Sequence, residues 1–292
     1  MTGNLTDAHC PNPLRNQSFR PKQADAFSSL PPRRKVGPRR EKSLFAFTGF
    51  IAGLLVLALA LNAQAPTAVP IPKEPHHHLV LENDYVRVFR VSVPAHDATL
   101  LHQHDVPYLY VSLGPADVIN AVQGRPEARI VMADGQVGYS PGHFAHIART
   151  DAGSTFDNVT IELLHPQGEV HNLCRKIVGG DLGQCSKTDT GPRGYIDEPL
   201  LETEELRVDS ITLQPKAKFI QRIQSGGLYV SLDSSELQDD PGKPAIKLQP
   251  GDRFWIPAAT ILKLRNKALN KARYLLLTVK QKPLTLRKEG VS

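Results

Sequence analysis

Residues 86–93 read VRVFRVSV, eight positions in which apolar and polar side chains alternate. That two-residue period predicts a half-buried β-strand, which Pro94 ends. Further β-rich runs cover residues 108–113, 128–132, 137–140 and 159–164, with turn pairs such as Gly114-Pro115 and Asp134-Gly135 between them. The same series then returns. LENDYVRV at 81–88 reappears as LETEELRV at 201–208, and LYVSL at 109–113 as LYVSL at 228–232. Gly135 with Pro141 reappears as Gly251 with Pro257. The offset shrinks along the copy, as small deletions in a diverged duplicate produce, and Asp240-Pro241-Gly242 predicts a turn within it. No helical period of useful length occurs in either copy. The pattern predicts an all-β chain of two tandem barrels or jelly rolls, at 79–172 and 199–283, joined by a Cys-containing linker at 173–198.

Ahead of the repeats the pattern changes. Residues 44–61 are eighteen uncharged, mostly apolar positions, preceded by Arg33, Arg34, Lys35, Arg39, Arg40 and Lys42 and followed by no basic residue until Lys73. This asymmetry and the small-x-small triplet Ala63-Gln64-Ala65 predict a signal-peptide core or a transmembrane anchor over 44–65. Either places residue 66 onward outside the cytoplasm, in the periplasm, in the extracellular space or at the membrane, with membrane contact only through 44–61. Residues 1–43 are Pro- and Arg-rich without periodicity and predict a disordered basic leader. Residues 66–78, with His76, His77 and His78, read as a Pro-rich linker, its histidines better explained by a solvated tether than by a metal site.

Composition narrows the function classes. Of 292 residues, 40% are hydrophobic and 6% aromatic, with 24 Pro and 21 Gly, which suits short strands and turns. The formal net charge of +6 lies wholly in residues 1–65, where nine Lys and Arg stand against three Asp and Glu; the rest of the chain carries 26 of each sign. The excess therefore speaks to targeting, and nucleic acid is excluded as a partner. Cys10 lies in the leader. Cys174 and Cys185 flank a Gly-rich decapeptide in the exported part, where an even pair at short spacing predicts a disulfide.

The candidate chemistry is in the first copy. His102 and His104 are two apart between strands, so both imidazoles project to one face. Gly135-x5-Pro141-x4-His146 then offers a third histidine from another strand. Three neutral imidazoles with an open position suit one divalent transition metal, Fe, Zn, Cu or Ni, better than Mg or Ca. A vestigial polar cavity and unrelated surface positions are the competing readings. Tyr108 follows closely, as a proton donor or hydrogen-bond partner to a bound molecule, or as a packed strand tyrosine. Asp105 is a candidate acceptor for an imidazole N–H. His143 reads as a turn residue, and His96, His165 and His171 as surface.

These motifs resemble those of the cupins, and the duplication resembles a bicupin over residues 79–281. The resemblance implies a double-stranded β-helix barrel with His102, His104 and His146 as metal ligands. Two features depart from the family pattern. The motif's glutamate falls at Tyr108 or Leu109, and the second-motif glycine is displaced by one, to Gly142. Members of the cysteine dioxygenase type are known with three histidines alone. In the second copy the matching positions fall in Ile220–Gln224 and at Leu262, so its ligand set is lost, and Phe254, Trp255 and Tyr274 read as core or cavity wall. The implied function is a metal-dependent, dioxygenase-like oxidoreductase acting on a small molecule. The alternatives are a non-catalytic small-molecule or metal-binding protein of the cell envelope, and a structural scaffold. Association into a homo-oligomer is a further expectation.

Overall fold

The computed structural model describes residues 66–280, apart from 152, 192–193, 239–241 and 243. The expected leader (1–43), the apolar segment (44–65), Cys10, and Asp240 and Pro241 of the expected turn lie outside the described residues. Among the described residues, no helix is long and apolar enough to cross a membrane.

Strand follows strand as the alternating pattern requires. The first barrel is built from β1 (Val69–Pro70), β2 (His77–Glu82), β3 (Val86–Val93), β4 (His102–His104) and β5 (Tyr108–Ser112). It continues with β6 (Ala116–Val122), β7 (Ala128–Met132), β8 (Val137–Ser140), β9 (Phe144–Arg149) and β10 (Phe156–Leu163). Two short strands follow, β11 (His171–Asn172) and β12 (Thr188–Asp189). The second barrel comprises β13 (Tyr195–Glu202), β14 (Leu206–Leu213), β15 (Lys218–Ile223), β16 (Gly227–Ser231) and β17 (Ser235–Gln238). It closes with β18 (Ile246–Leu248), β19 (Arg253–Ile256), β20 (Thr260–Asn266) and β21 (Ala272–Val279).

The sheets carry the duplication strand for strand. In the first barrel one sheet runs β2-β3-β10-β5-β8 and the other β1-β4-β9-β6-β7; in the second, β13-β14-β21-β16-β19 faces β15-β20-β17-β18. The register repeats too. Tyr110 pairs with Thr160 and Ser112 with Asn158, while Tyr229 pairs with Leu276 and Ser231 with Tyr274. The shared LYVSL segment thus lies against the same strand position in each copy.

Side-chain alternation sorts the core into three layers. In β3, Val86 and Val88 join a buried cluster with Val159, Ile161, Val208, Leu228 and Leu275, which binds the two barrels together. Phe89, Val91 and Val93, on the opposite face, line the first barrel's interior. Each such aliphatic side chain contributes about 1.5–3 kcal/mol on burial. The two interiors differ in kind. The second is filled by Phe219, Tyr229 and Tyr274, the two tyrosines stacked at 4.7 Å. The first places Asn158 and Thr160 at the register positions of Tyr274 and Leu276, and keeps a cavity.

Three expected boundaries need correction. Residues 66–78 are not a free spacer: β1 pairs in parallel with β4, Val69 opposite His102, and β2 begins at His77. His171 and Asn172, placed in the first barrel by the sequence, pair instead with Glu202 and Leu201 of the second barrel's β13. That strand begins at Tyr195, inside the expected 173–198 linker. Within the linker Cys174 and Cys185 form a disulfide.

Candidate metal centre

β4 and β9 set the site. They are antiparallel, with His102 directly opposite His146 and His104 opposite Phe144. Because 102 and 104 share a face, both imidazoles enter the barrel, 0% and 2% exposed. Beside them Gly142 holds the loop between β8 and β9 with φ of +71°, where a Cβ would lie 2.1 Å from the Val106 carbonyl oxygen. Only glycine permits that approach. The adjoining His143 is a turn residue, its backbone N–H donating to the His104 carbonyl at 2.6 Å.

A fourth histidine enters the site, while His146 falls outside the tight group of ligand atoms found among the described residues. His77, at the start of β2, is buried, and donor atoms of His77, His102 and His104 lie within 4.8 Å of one another. His77 and His146 flank His102, with ring centroids 4.7 and 4.4 Å away; His146 is 5.2 Å from His104. The sequence reading missed His77, since a His triplet in a Pro-rich stretch has the character of a tether.

Hydrogen bonds fix which nitrogens are free. His102 Nδ1 donates to the Leu100 carbonyl at 2.8 Å, an oxygen that can only accept. His146 Nδ1 lies 2.6 Å from Asn120 Oδ1, and His77 Nδ1 2.6 Å from Glu74 Oε2. The Nε2 atoms of His102 and His146, and Nδ1 of His104, are buried with no hydrogen-bond partner among the described residues. Burial also keeps these rings neutral. It lowers His102 to about 4, His146 to about 3 and His104 to about 2, with neighbouring histidines adding to the effect. The buried Nε2 lone pairs of His102 and His146, beside the neutral His104 imidazole, fit a borderline divalent cation.

The surrounding carboxylates differ from expectation. Asp105 is exposed and makes no contact with an imidazole among the described interactions; the carboxylate beside His104 is Glu162, its Oε1 3.8 Å from Nδ1. Glu162 also pairs with Arg87 at 3.1 Å, and burial raises its carboxyl against that cation. Tyr108 stacks on the His104 ring at 4.0 Å and 20°. Burial pushes its phenol up to about 12, although Ser140 hydrogen-bonds it. His96, His165 and His171 lie away from the cluster, His165 stacking on Tyr85.

The cavity the histidines line measures about 240 Å³. Its other walls include Val118, Ile130, Met132, Phe144 and Phe156, and none of the described lining residues is Lys, Arg, Asp or Glu. In the second barrel the register places Gln221 opposite Leu262, where the first has His102 opposite His146. Neither of those two side chains is a histidine.

No protein-family model matches the chain, and no curated protein matches it in sequence. Solved structures match its fold. Protein Ylba from E. coli superposes with a TM-score of 0.53 at 11% identity, over 75% of this chain and 89% of that one. A salicylate 1,2-dioxygenase from Pseudoaminobacter salicylatoxidans, bound to gentisate, gives 0.51 at 12%, over 78% and 79%. AerE from Microcystis aeruginosa gives 0.50 at 8%, over 71% and 99%. The duplicated barrel is the bicupin fold.

Proposed function

We propose that the protein is an exported, metal-dependent, oxygenase-like enzyme that acts on a small uncharged or metal-chelating molecule in its first barrel, the second barrel being a folding partner. The observation that carries this reading is the group of buried, neutral imidazoles of His102, His104 and His146 at the wall of a mostly apolar cavity, with Nε2 of His102 and of His146 unpartnered among the described residues. His102 and His146 would hold the ion through Nε2, their Nδ1 atoms being engaged. A bound ion would supply a Lewis acid and open positions for small ligands.

The chain's own groups define the rest. Apolar walls of Phe144, Phe156 and Met132 exclude water and favour a ring-sized molecule. With no Lys or Arg among the described lining residues, a carboxylate substrate would find its counter-charge at the metal. The salicylate 1,2-dioxygenase neighbour, with its bound gentisate, supports an aromatic substrate class. Tyr108 stays protonated at neutral pH and so serves as a hydrogen-bond donor and as a stacking support for His104. Export is supported by the Cys174–Cys185 disulfide together with the apolar 44–61 segment and the charges before it.

A second reading, binding without turnover, is favoured by the absence of the family's glutamate at Tyr108 and the ligand-free second barrel. Oxygen uptake distinguishes the two. The full chain, solubilised in detergent and reconstituted with Fe²⁺, is screened with phenolic and enolic compounds. Substrate-dependent uptake that the His102→Ala/His104→Ala variant lacks supports the enzyme. Ligand binding without uptake, for every metal tried, supports the binding protein.

A further inference from the structure

The segment between residues 66 and 78 does more than lead into the barrel. Val69 and Pro70 form β1 on the edge of the histidine-bearing strand, where the Val69 N–H donates to the Leu101 carbonyl at 2.9 Å. The chain then turns through a short 3-10 element, Ile71–Lys73, with Ile71 anchored in the first barrel's core. This turn delivers His77 to the cavity, with Glu74 buried behind it.

Glu74 is the best-buried carboxylate of the first barrel, 1% exposed, and every contact it makes is directional. Oε2 accepts from His77 Nδ1 at 2.6 Å and from the His76 backbone N–H at 2.8 Å; Oε1 accepts from the Leu100 N–H at 3.1 Å and from His76 Nδ1 at 3.0 Å. Burial by itself would raise this carboxyl, but the bonds from His77 and His76 outweigh it and bring it down to about 2. A carboxylate held this way fixes the His77 ring with Nδ1 engaged and Nε2 as its remaining nitrogen. The Leu100 residue that Glu74 grips is also the one whose carbonyl orients His102.

We propose that His77 is a further metal ligand, positioned by Glu74, and that it takes the place of the glutamate missing at Tyr108. The inference rests on the metal reading above. It makes the centre all-nitrogen, which favours Zn, Cu, Ni or Fe over Mg or Ca. It also makes docking of the 66–77 strap and loading of the metal a single linked equilibrium, because a ligand that binds only the docked form stabilises that form.

The test uses the detergent-solubilised full chain, free of an affinity His tag. Zn²⁺ affinity is measured by chelator competition and the coordination shell by the visible spectrum of Co²⁺. The proposal predicts at least a tenfold weaker Zn²⁺ affinity and an altered Co²⁺ spectrum for His77→Ala and for His77→Gln, the second of which retains a donor for Glu74. Glu74→Gln weakens Zn²⁺ about 10- to 100-fold, as loss of a carboxylate behind a ligating imidazole does. Hydrogen exchange on the wild type gives a readout independent of any variant: Zn²⁺ slows the backbone amides of residues 69–77. Wild-type affinity and spectrum in His77→Gln would overturn the proposal while leaving the other three histidines as a metal site, and so would metal binding with unchanged exchange in the strap. No Zn²⁺ or Co²⁺ binding by the wild type would overturn the metal reading itself and this inference with it.

Discussion

His102 and His146 stand directly opposite each other across β4 and β9, with ring centroids 4.4 Å apart, Nδ1 of each engaged by the chain and Nε2 of each buried without a partner among the described residues. Two such rings are costly in a barrel that binds nothing. In the second barrel the matching pair is Gln221 opposite Leu262, and the buried position facing His102's counterpart is aliphatic.

Asn120 holds His146 through its Oδ1 at 2.6 Å. Asn120→Ala leaves the Nδ1–H of His146 without an acceptor and its ring free to turn. Metal affinity falls about tenfold, measured by chelator competition, with the fold unchanged by circular dichroism.

Acid should destabilise the metal-free protein through the same rings. In the unfolded chain a histidine takes up its proton near pH 6.5, whereas folded His104 does so only at about 2 and His102 at about 4. Between these values the unfolded state binds more protons, so stability falls as pH falls. Each ring contributes about 1.4 kcal/mol per pH unit in that window. Other groups titrate there too, so the observable is a difference. Relative to His104→Leu, the wild type loses stability steadily from pH 6.5 to pH 4 in urea unfolding; parallel profiles would contradict the account.

Tyr274 fills the second barrel where the first has Asn158, and its hydroxyl is buried without a partner among the described residues. Tyr274→Phe therefore leaves stability unchanged or raises it by about 1 kcal/mol. Tyr274→Ala opens a cavity and costs about 3–5 kcal/mol. Urea midpoints for the two variants, compared with wild type, check both signs.

The Cys174–Cys185 disulfide closes a loop with a sequence separation of 11. Chain entropy assigns such a closure about 3 kcal/mol. Replacing both cysteines with serine lowers the unfolding free energy by an amount of that order, and dithiothreitol has no further effect on the variant.

Much of this was legible in the sequence because the signals were local or repeated. The alternation at Val86–Val93, the doubled LYVSL and the His102-x-His104 spacing each needed only neighbouring residues, or a second copy, to be read. The contributions of His77 and Glu74 were not legible in the same way. They depend on a two-residue parallel strand that crosses to β4, a pairing that leaves no period in the sequence, and their setting among prolines has the composition of a tether. Glu162 was hidden for a related reason. It lies far along the chain from His104, on the interior face of β10, where the strand pattern predicts only that it points inward. Asp105, close in sequence, faces solvent instead.

The most direct test of the central claim is the metal content of the purified full chain. Wild type and the His102→Ala/His104→Ala variant, both without a His tag, are reconstituted with Fe, Zn, Cu or Ni, desalted and analysed for bound metal. The account predicts about one equivalent of one of these ions in the wild type and none in the variant. Equal metal in both proteins, or none in either, would contradict it.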